Sequence, residues 1–156
     1  MKEFEGQKIS FRPAEKADVS MLVDMESMSF HEADKFSRRK IGRYIHNPSR
    51  SIIVDVIETG SRPVGYSVYL TRSNSRTISL HSVCIIPEMR GKGIIRAYLD
   101  KRLTGFRDVY NKIVLRVRTS NTAARDLYRS LEFSVDGVEA GYYPDGEDAI
   151  RMTKSL

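Results

Sequence analysis

The spacing of apolar residues changes several times along this chain, and each change marks a new element. Ile9 to Arg12 alternates and predicts a short strand, ended by Pro13. Asp18 can cap a helix whose apolar positions are Val19, Leu22, Val23, Met25 and Met28. A second helix is expected from about Asp34 to Ile45, with Phe36, Ile41, Tyr44 and Ile45 inward, closed by Asn47-Pro48. Ser51 to Ile57 is rich in β-branched residues, and Val64 to Thr71 alternates. Thr77 to Ile86 follows, so these three strands, joined by the turns Ser61-Arg62-Pro63 and Ser73-Asn74-Ser75, predict an antiparallel meander. A helix reaching about Phe106 comes next, then a strand over Ile113 to Arg118 and a helix over Thr122 to Leu131. Phe133 to Ala140 and Asp148 to Met152 close the chain as strands. The order β-α-α-β-β-β-α-β-α-β-β predicts a mixed α/β domain with a parallel crossover in its second half. Glu132 stands where the last of these helices would suit a left-handed glycine, at a cost of about 1 kcal/mol if its φ is positive.

Composition narrows the picture little. The chain has 156 residues, which suits one domain over residues 1–156 with one sizeable core. Its net charge of +6 either favours anionic partners or serves solubility. The basic residues are dispersed and carry no nucleic-acid-binding motif, so no specific nucleic acid is expected. No apolar run approaches the ~20 residues of a membrane span, and MKEFEGQK has no signal-peptide character, so a cytoplasmic protein is expected. The single cysteine, Cys84, excludes an internal disulfide and any multi-cysteine zinc site, and no metal is expected. Set in an apolar strand, Cys84 reads as a buried structural thiol.

One junction suggests chemistry. In SVCIIPEMRGKGIIRAY, Ser82 to Tyr98, an apolar strand stops at Pro87 and a helix begins just after Arg90-Gly91-Lys92-Gly93. Glycines here allow a tight turn that points several N–H groups one way, and a helix N-terminus adds unpaired donors. Arg90, Lys92 and Arg96 add charge, so the junction suits a phosphate-bearing ligand. It is neither a Walker A loop nor a dinucleotide-binding fingerprint, because their glycine spacings are absent.

On these residues the chain resembles the GNAT superfamily of acetyltransferases, whose turn reads Arg/Gln-x-x-Gly-x-Gly/Ala. Here it is Arg90 to Ile95, with Ile95 in place of the last small residue. VRTSNTAARDLYRSLEF, Val117 to Phe133, is similar to the family's second conserved region. GYYPDGEDAIRM, Gly141 to Met152, is similar to the end of ribosomal-protein-alanine N-acetyltransferases, and Glu26 and Phe30 fit that subfamily's first helix and following loop. The resemblance implies the GNAT fold, an α+β architecture with a mostly antiparallel sheet of about seven strands flanked by about four helices. It implies acetyl-CoA as cosubstrate and a protein or peptide N-terminus as acceptor, in a monomer or homodimer.

It also implies roles. Val83 and Ile85 would offer backbone groups to the acetyl and pantetheine arm. Arg90, Gly91, Lys92, Gly93, Ile94, Ile95 and Arg96 would hold the pyrophosphate, and Asn121 would contact the pantetheine. Tyr128 would protonate the departing thiolate, its phenol of pKa ~10 facing a thiol of pKa near 8.5. Tyr128 can equally be core packing and Asn121 a helix cap. Tyr142 and Tyr143 would face opposite sides of a strand, one lining the acceptor cleft. Where the resembled enzymes carry a Glu or His base, this chain has Arg116, which cannot deprotonate an amine. His81 is then the candidate base, or a structural histidine; alternatively water takes the proton, or Arg116 binds a carboxylate of the acceptor. The reading is direct acetyl transfer to a primary amine. A small-molecule acceptor and a non-catalytic acetyl-CoA-binding module stay open beside it.

Overall fold

A computed structural model describes residues 8–29, 37–47 and 50–156. Its elements are β1 (Ile9–Pro13), α1 (Val19–Ser29), α2 (Arg38–Ile45), β2 (Ile52–Thr59), β3 (Arg62–Leu70), β4 (Thr77–Ile85), α3 (Ile94–Phe106), β5 (Lys112–Arg118), α4 (Thr122–Ser130), β6 (Ser134–Glu139) and β7 (Ala149–Ser155). The expected seven strands and four helices are present, with differences at their ends. Helix α2 begins at Arg38, because Ser37 is extended and its hydroxyl accepts the Lys40 N–H at 3.1 Å. The expected inward residue Phe36, with Phe30, Asp34 and Pro48, lies outside the described residues. Strand β7 runs on to Ser155, while Tyr142 and Tyr143 sit in the loop before it rather than in a strand.

All strands form one sheet in the order β1-β2-β3-β4-β5-β7-β6. Every neighbouring pair is antiparallel except β4 and β5. That parallel pairing covers Thr77 to Leu80 against Lys112 to Leu115 and stops. Beyond it β4 stays paired with β3, and β5 with β7, so the sheet opens into a split that begins at His81 and Arg116. The cause lies in β4. Val68 pairs with Ser82 and Tyr69 with Leu80, which leaves His81 as an extra residue. Such a bulge bends and twists its strand, and here it coincides with the last rung to β5.

Side chains alternate across the sheet and divide between its faces. Leu22, Met25 and buried Glu26 of α1 cover one face, where the Tyr66 hydroxyl donates to Glu26 Oε1. Tyr98, Leu99, Leu103 and Phe106 of α3 cover the other, over Ile57, Tyr69, Ile78 and Ile113. On the α3 side a polar cluster is sealed in: Tyr98 donates to Asp55 Oδ2 at 2.6 Å, and its oxygen meets Ser67 and Tyr69 at 2.5 and 2.8 Å. Cys84 is buried, as its setting predicts.

Candidate active site

The split is bordered by two different sets of residues. On the α3 side it meets the glycine turn. A short 3-10 turn, Pro87–Met89, takes the chain out of β4. Gly91 and Gly93 then adopt φ of +75° and +79°, a region that other L residues enter only with strain. Gly93 is the N-cap of α3, and the first bond the helix closes is Ala97 N–H to Gly93 C=O at 3.0 Å. The N–H groups from Gly91 to Gly93 therefore lie outside the helical ladder, at the positive end of the helix dipole. The start of α3 also borders a depression of about 330 Å³ that it shares with Asp100 and with Ile9 of the edge strand β1, away from the split. Ile94 is buried, and Ile95 packs partly on the core.

The two arginines of this turn are engaged by the protein. Arg90 Nε donates to the Ile85 carbonyl at 3.1 Å, a strut that holds the turn against the end of β4. Arg96 Nη1 donates to Ser130 Oγ at 2.5 Å and so ties the start of α3 to the end of α4. Backbone groups of β4 face into the split. Ile86 N–H donates to Val64 C=O at 2.9 Å, so by antiparallel alternation Cys84 and Ser82 address β3, while Val83 and Ile85 address the vacated β5 side.

Helix α4 supplies Asn121 and Tyr128. Asn121 is the N-cap, its Oδ1 accepting the Ala124 N–H at 3.2 Å, which leaves its amide NH2 for another partner. The helix ends as anticipated for Glu132, which has φ of +70°. Phe133 N–H returns to Tyr128 C=O at 3.0 Å and Glu132 N–H to Arg129 C=O at 2.9 Å, a Schellman motif. That motif lays the Phe133 ring 5.6 Å from the Tyr128 ring, so packing fixes Tyr128. Tyr128 is 7% exposed, and burial pushes its phenol above the usual value, with Tyr143 nearby adding to the effect. Core packing is thus true of Tyr128, with Tyr143 close enough to act on its phenol. A phenol held neutral in this way acts as a hydrogen-bond donor rather than as a strong acid.

The α2 side of the split is lined differently. His81 Nε2 lies 3.3 Å from the Tyr44 hydroxyl, ring against ring at 6.0 Å. Its pKa is lowered from 6.5 by burial of part of the ring, then by the charges of Lys40 and Arg116, so it is neutral at pH 7. Arg116 forms an ion pair with Glu139 through Nε, with Nη2 3.5 Å from the second carboxylate oxygen. Its guanidinium lies 5.5 Å from the Tyr142 ring centre, and Tyr142 meets Tyr143 edge to face at 5.0 Å. Arg118 stacks on Tyr143 at 4.1 Å and is bound by Asp145 and Glu147 at 2.9 and 2.8 Å. Glu147 also accepts from Ser120 N–H at 2.8 Å and Thr119 Oγ1 at 3.0 Å. Its pKa falls to about 2, through the Ser120 hydrogen bonds first and Arg118 next.

The structure therefore brings His81, Arg116, Tyr142 and Tyr143 to one side of the split, and Arg90 to Arg96, Asn121 and Tyr128 to the other. Sequence reasoning missed Tyr44, Glu139 and Glu147. The acidic run Asp145-Gly146-Glu147-Asp148 beside two tyrosines was a visible signal for Glu147. Nothing local marks Glu139 or Tyr44, whose partners lie 23 and 37 residues away.

A strand, a glycine turn and an amphipathic helix at a split between parallel strands define a class, and the comparisons agree with it. Residues 19–133 match the model of the Acetyltransferase (GNAT) family, and the chain belongs to that family. It is similar to an N-alpha-acetyltransferase of Saccharolobus solfataricus, 40% identical over 77 residues that cover 48% of this chain and 46% of that protein. The alignment thus spans about half the length of that relative. It is also similar to the N-terminal acetyltransferase A complex catalytic subunit ard1 of Schizosaccharomyces pombe, 29% identical over 95% of this chain and 86% of that one. The ribosomal-protein-S18-alanine N-acetyltransferase of Escherichia coli has the same fold, with a TM-score of 0.81 at 22% identity, covering 96% of this chain and 94% of that one. Among the described residues no helix is long and apolar enough to cross a membrane.

Proposed function

We propose that this chain moves the acetyl group of acetyl-CoA directly to the α-amino group of a protein or peptide N-terminus. The observation that carries the reading is the split beyond Leu80 and Leu115, with the glycine turn and the N-terminus of α3 on one face and a polar, partly aromatic mouth on the other. The names of the relatives support the choice of acceptor.

Acetyl-CoA would supply an activated thioester and a pyrophosphate. The pyrophosphate suits the donors from Gly91 to Arg96, which carry a partial positive charge before any side chain is counted. Arg90 contributes by bracing the turn through Ile85. Asn121 has an amide NH2 available for the pantetheine arm. Val83 or Ile85 N–H donates to the thioester oxygen as negative charge develops there, which lowers the barrier to attack.

The acceptor enters from the α2 side. An α-ammonium has a pKa near 8, so part of it is already neutral at pH 7. His81, itself neutral, takes the remaining proton directly or through one water, and Tyr44 orients its ring. The amine nitrogen bonds to the acetyl carbon, the carbon–sulfur bond breaks, and the nitrogen gives up its second proton to solvent to leave the amide. Tyr128 donates a hydrogen bond to the sulfur as negative charge builds there, and the thiolate takes its proton from solvent. Holding the two reactants together in the split supplies much of the rate.

A panel of short peptides with varied first residues, run beside small amines, tests this reading by thiol release and by mass gain at the α-amine. Acetylated peptides support it, and acetylation of small amines alone overturns the choice of acceptor. A second reading, acetyl-CoA binding without transfer, draws on Arg116 at the family's base position. It predicts cofactor affinity with silence across the whole panel.

A further inference from the structure

Two β5 arginines on the acceptor side of the split meet carboxylates in different ways. Arg118 is closed off by two of them, Asp145 and Glu147. Arg116 differs: among the described residues its hydrogen bonds go to Glu139 alone, through Nε and Nη2. A guanidinium has five donors in a fixed fork, so the Nη1 edge keeps its own for an incoming acceptor. The pair sits in partial contact with solvent, each side chain 32% exposed, where exchange of one carboxylate for another costs little. The Tyr142 ring under the guanidinium fixes its plane. From α2, Lys40 is the cation whose charge acts on His81 together with that of Arg116. Lys40 lies 5.9 Å from the Tyr44 ring that holds His81. Burial is the larger cause of the lowered His81 pKa, and the charges of Lys40 and Arg116 add to it.

Position converts this charge into selectivity. Arg116 is the first residue of β5 past the last rung to β4, level with His81. An extended peptide with its α-amine at the split advances ~3.4 Å per residue, so its second and third side chains stay within reach of a long arginine and of α2. A carboxylate there meets the open Nη1 edge and a positive field, while a lysine or arginine meets repulsion.

We propose that Arg116 selects acceptor N-termini with Asp or Glu at the second or third position. The inference rests on the N-terminal acetyltransferase reading above and narrows its substrate class. One arginine thus occupies a position where a base is absent and reads the acceptor's charge.

The test compares kcat/KM of the wild-type protein for peptides that differ only by Glu, Ala or Lys at positions two and three. A charge-assisted hydrogen bond predicts about tenfold in favour of Glu over Ala, and Lys below Ala. High salt narrows the gap. Arg116→Glu reverses the order, and Arg116→Gln removes the Glu preference while other peptides are still acetylated. Equal rates for Glu and Ala peptides in the wild type overturn the inference and leave the N-terminal reading intact. So does a Glu preference that survives in Arg116→Gln. If no peptide is acetylated but small amines are, both fall together. The wild-type peptide series decides the matter even if a variant folds poorly.

Discussion

Replacing Arg102 with Met should destabilise this protein strongly at pH 7 and much less at pH 5. Asp55 is 2% exposed, and Arg102 is the cation beside it. Arg102 Nη2 donates to Asp55 Oδ1 at 3.2 Å. Nε lies 2.8 Å from Oδ2 but is not aligned as a hydrogen bond. The guanidinium sits between the rings of Phe11 and Phe106, at 4.6 and 4.3 Å from their centres. Methionine keeps much of the apolar stem and removes the charge. Breaking a buried pair from one side costs about 3–5 kcal/mol. Protonation sets a ceiling on the charge part of that cost. An unpaired Asp55 can take up a proton, and from its reference pKa of 3.8 to pH 7 this costs about 4.4 kcal/mol at ~1.36 kcal/mol per unit. At pH 5 the same step costs only about 1.6 kcal/mol.

The sign follows from linkage. Burial raises the Asp55 pKa in the folded protein even beside Arg102, so the folded state binds a proton that the unfolded state releases. Its unfavourable contribution is absent below pH 3.8 and grows with pH until the folded pKa is passed. Without Arg102 that folded pKa moves further up and the window widens. Urea unfolding followed by circular dichroism at pH 5 and pH 7 measures the difference. Wild type against Arg102→Met should differ by about 3–4 kcal/mol at pH 7 and about 1–2 kcal/mol at pH 5. Adding Asp55→Asn to Arg102→Met should recover stability at pH 7. A loss below about 1 kcal/mol at pH 7, or one that does not change with pH, would refute the reasoning.

Three further outcomes follow from other sites. Glu132→Gly should stabilise the fold by about 1 kcal/mol in the same assay, since φ of +70° strains a side chain and not a glycine. Gly65→Ala should cost at least about 1–3 kcal/mol and weaken acetyl-CoA binding by calorimetry. Its Cβ would lie 2.2 Å from the Cys84 carbonyl oxygen, so β3 must part from the strand that leads to the glycine turn. Tyr128→Phe should lower kcat by roughly ten- to a hundredfold, the worth of a hydrogen bond to a charged sulfur, with acetyl-CoA affinity unchanged; unchanged turnover would remove Tyr128 from the mechanism.

Much of the fold was legible because its signals are local. The meander from β2 to β4 shows in alternation and turn residues, and the left-handed Glu132 shows as a helix that ends without a glycine. The glycine turn was legible because positive φ demands glycine. The split was not. Thr77 to Ile86 is a continuous strand pattern, and no residue in it announces that His81 is an extra one. That bulge exists only relative to β3, through the register of Val68 and Tyr69. Tyr142 and Tyr143 misled for a similar reason. Their aromatic character suits a strand, but the Arg118 bonds to Asp145 and Glu147 hold them in a loop. The charge of Arg90 and Arg96 is visible in sequence, while their partners Ile85 and Ser130 lie in other elements and are not.

The bulge links the fold to the chemistry. An unbroken sheet would keep the acetyl donor on one face and the acceptor on the other, with a layer of backbone between them. Ending the β4–β5 ladder at Leu80 and Leu115 opens a passage and leaves the Val83 backbone groups and the Ile85 N–H without a strand partner on the β5 side, the Ile85 carbonyl being taken by Arg90. Unpaired backbone groups are costly when buried, so the split is a place where a ligand with matching donors and acceptors is favoured over closure. The pantetheine arm, with its two amides, has that complement. The same interruption sets His81 and Arg116 level with each other at the mouth, one neutral and one charged. On this argument the proton acceptor and the charge reader of the acceptor side arise from a single inserted residue in β4. Deleting His81 should therefore do more harm than substituting it, since deletion restores the ladder and closes the passage.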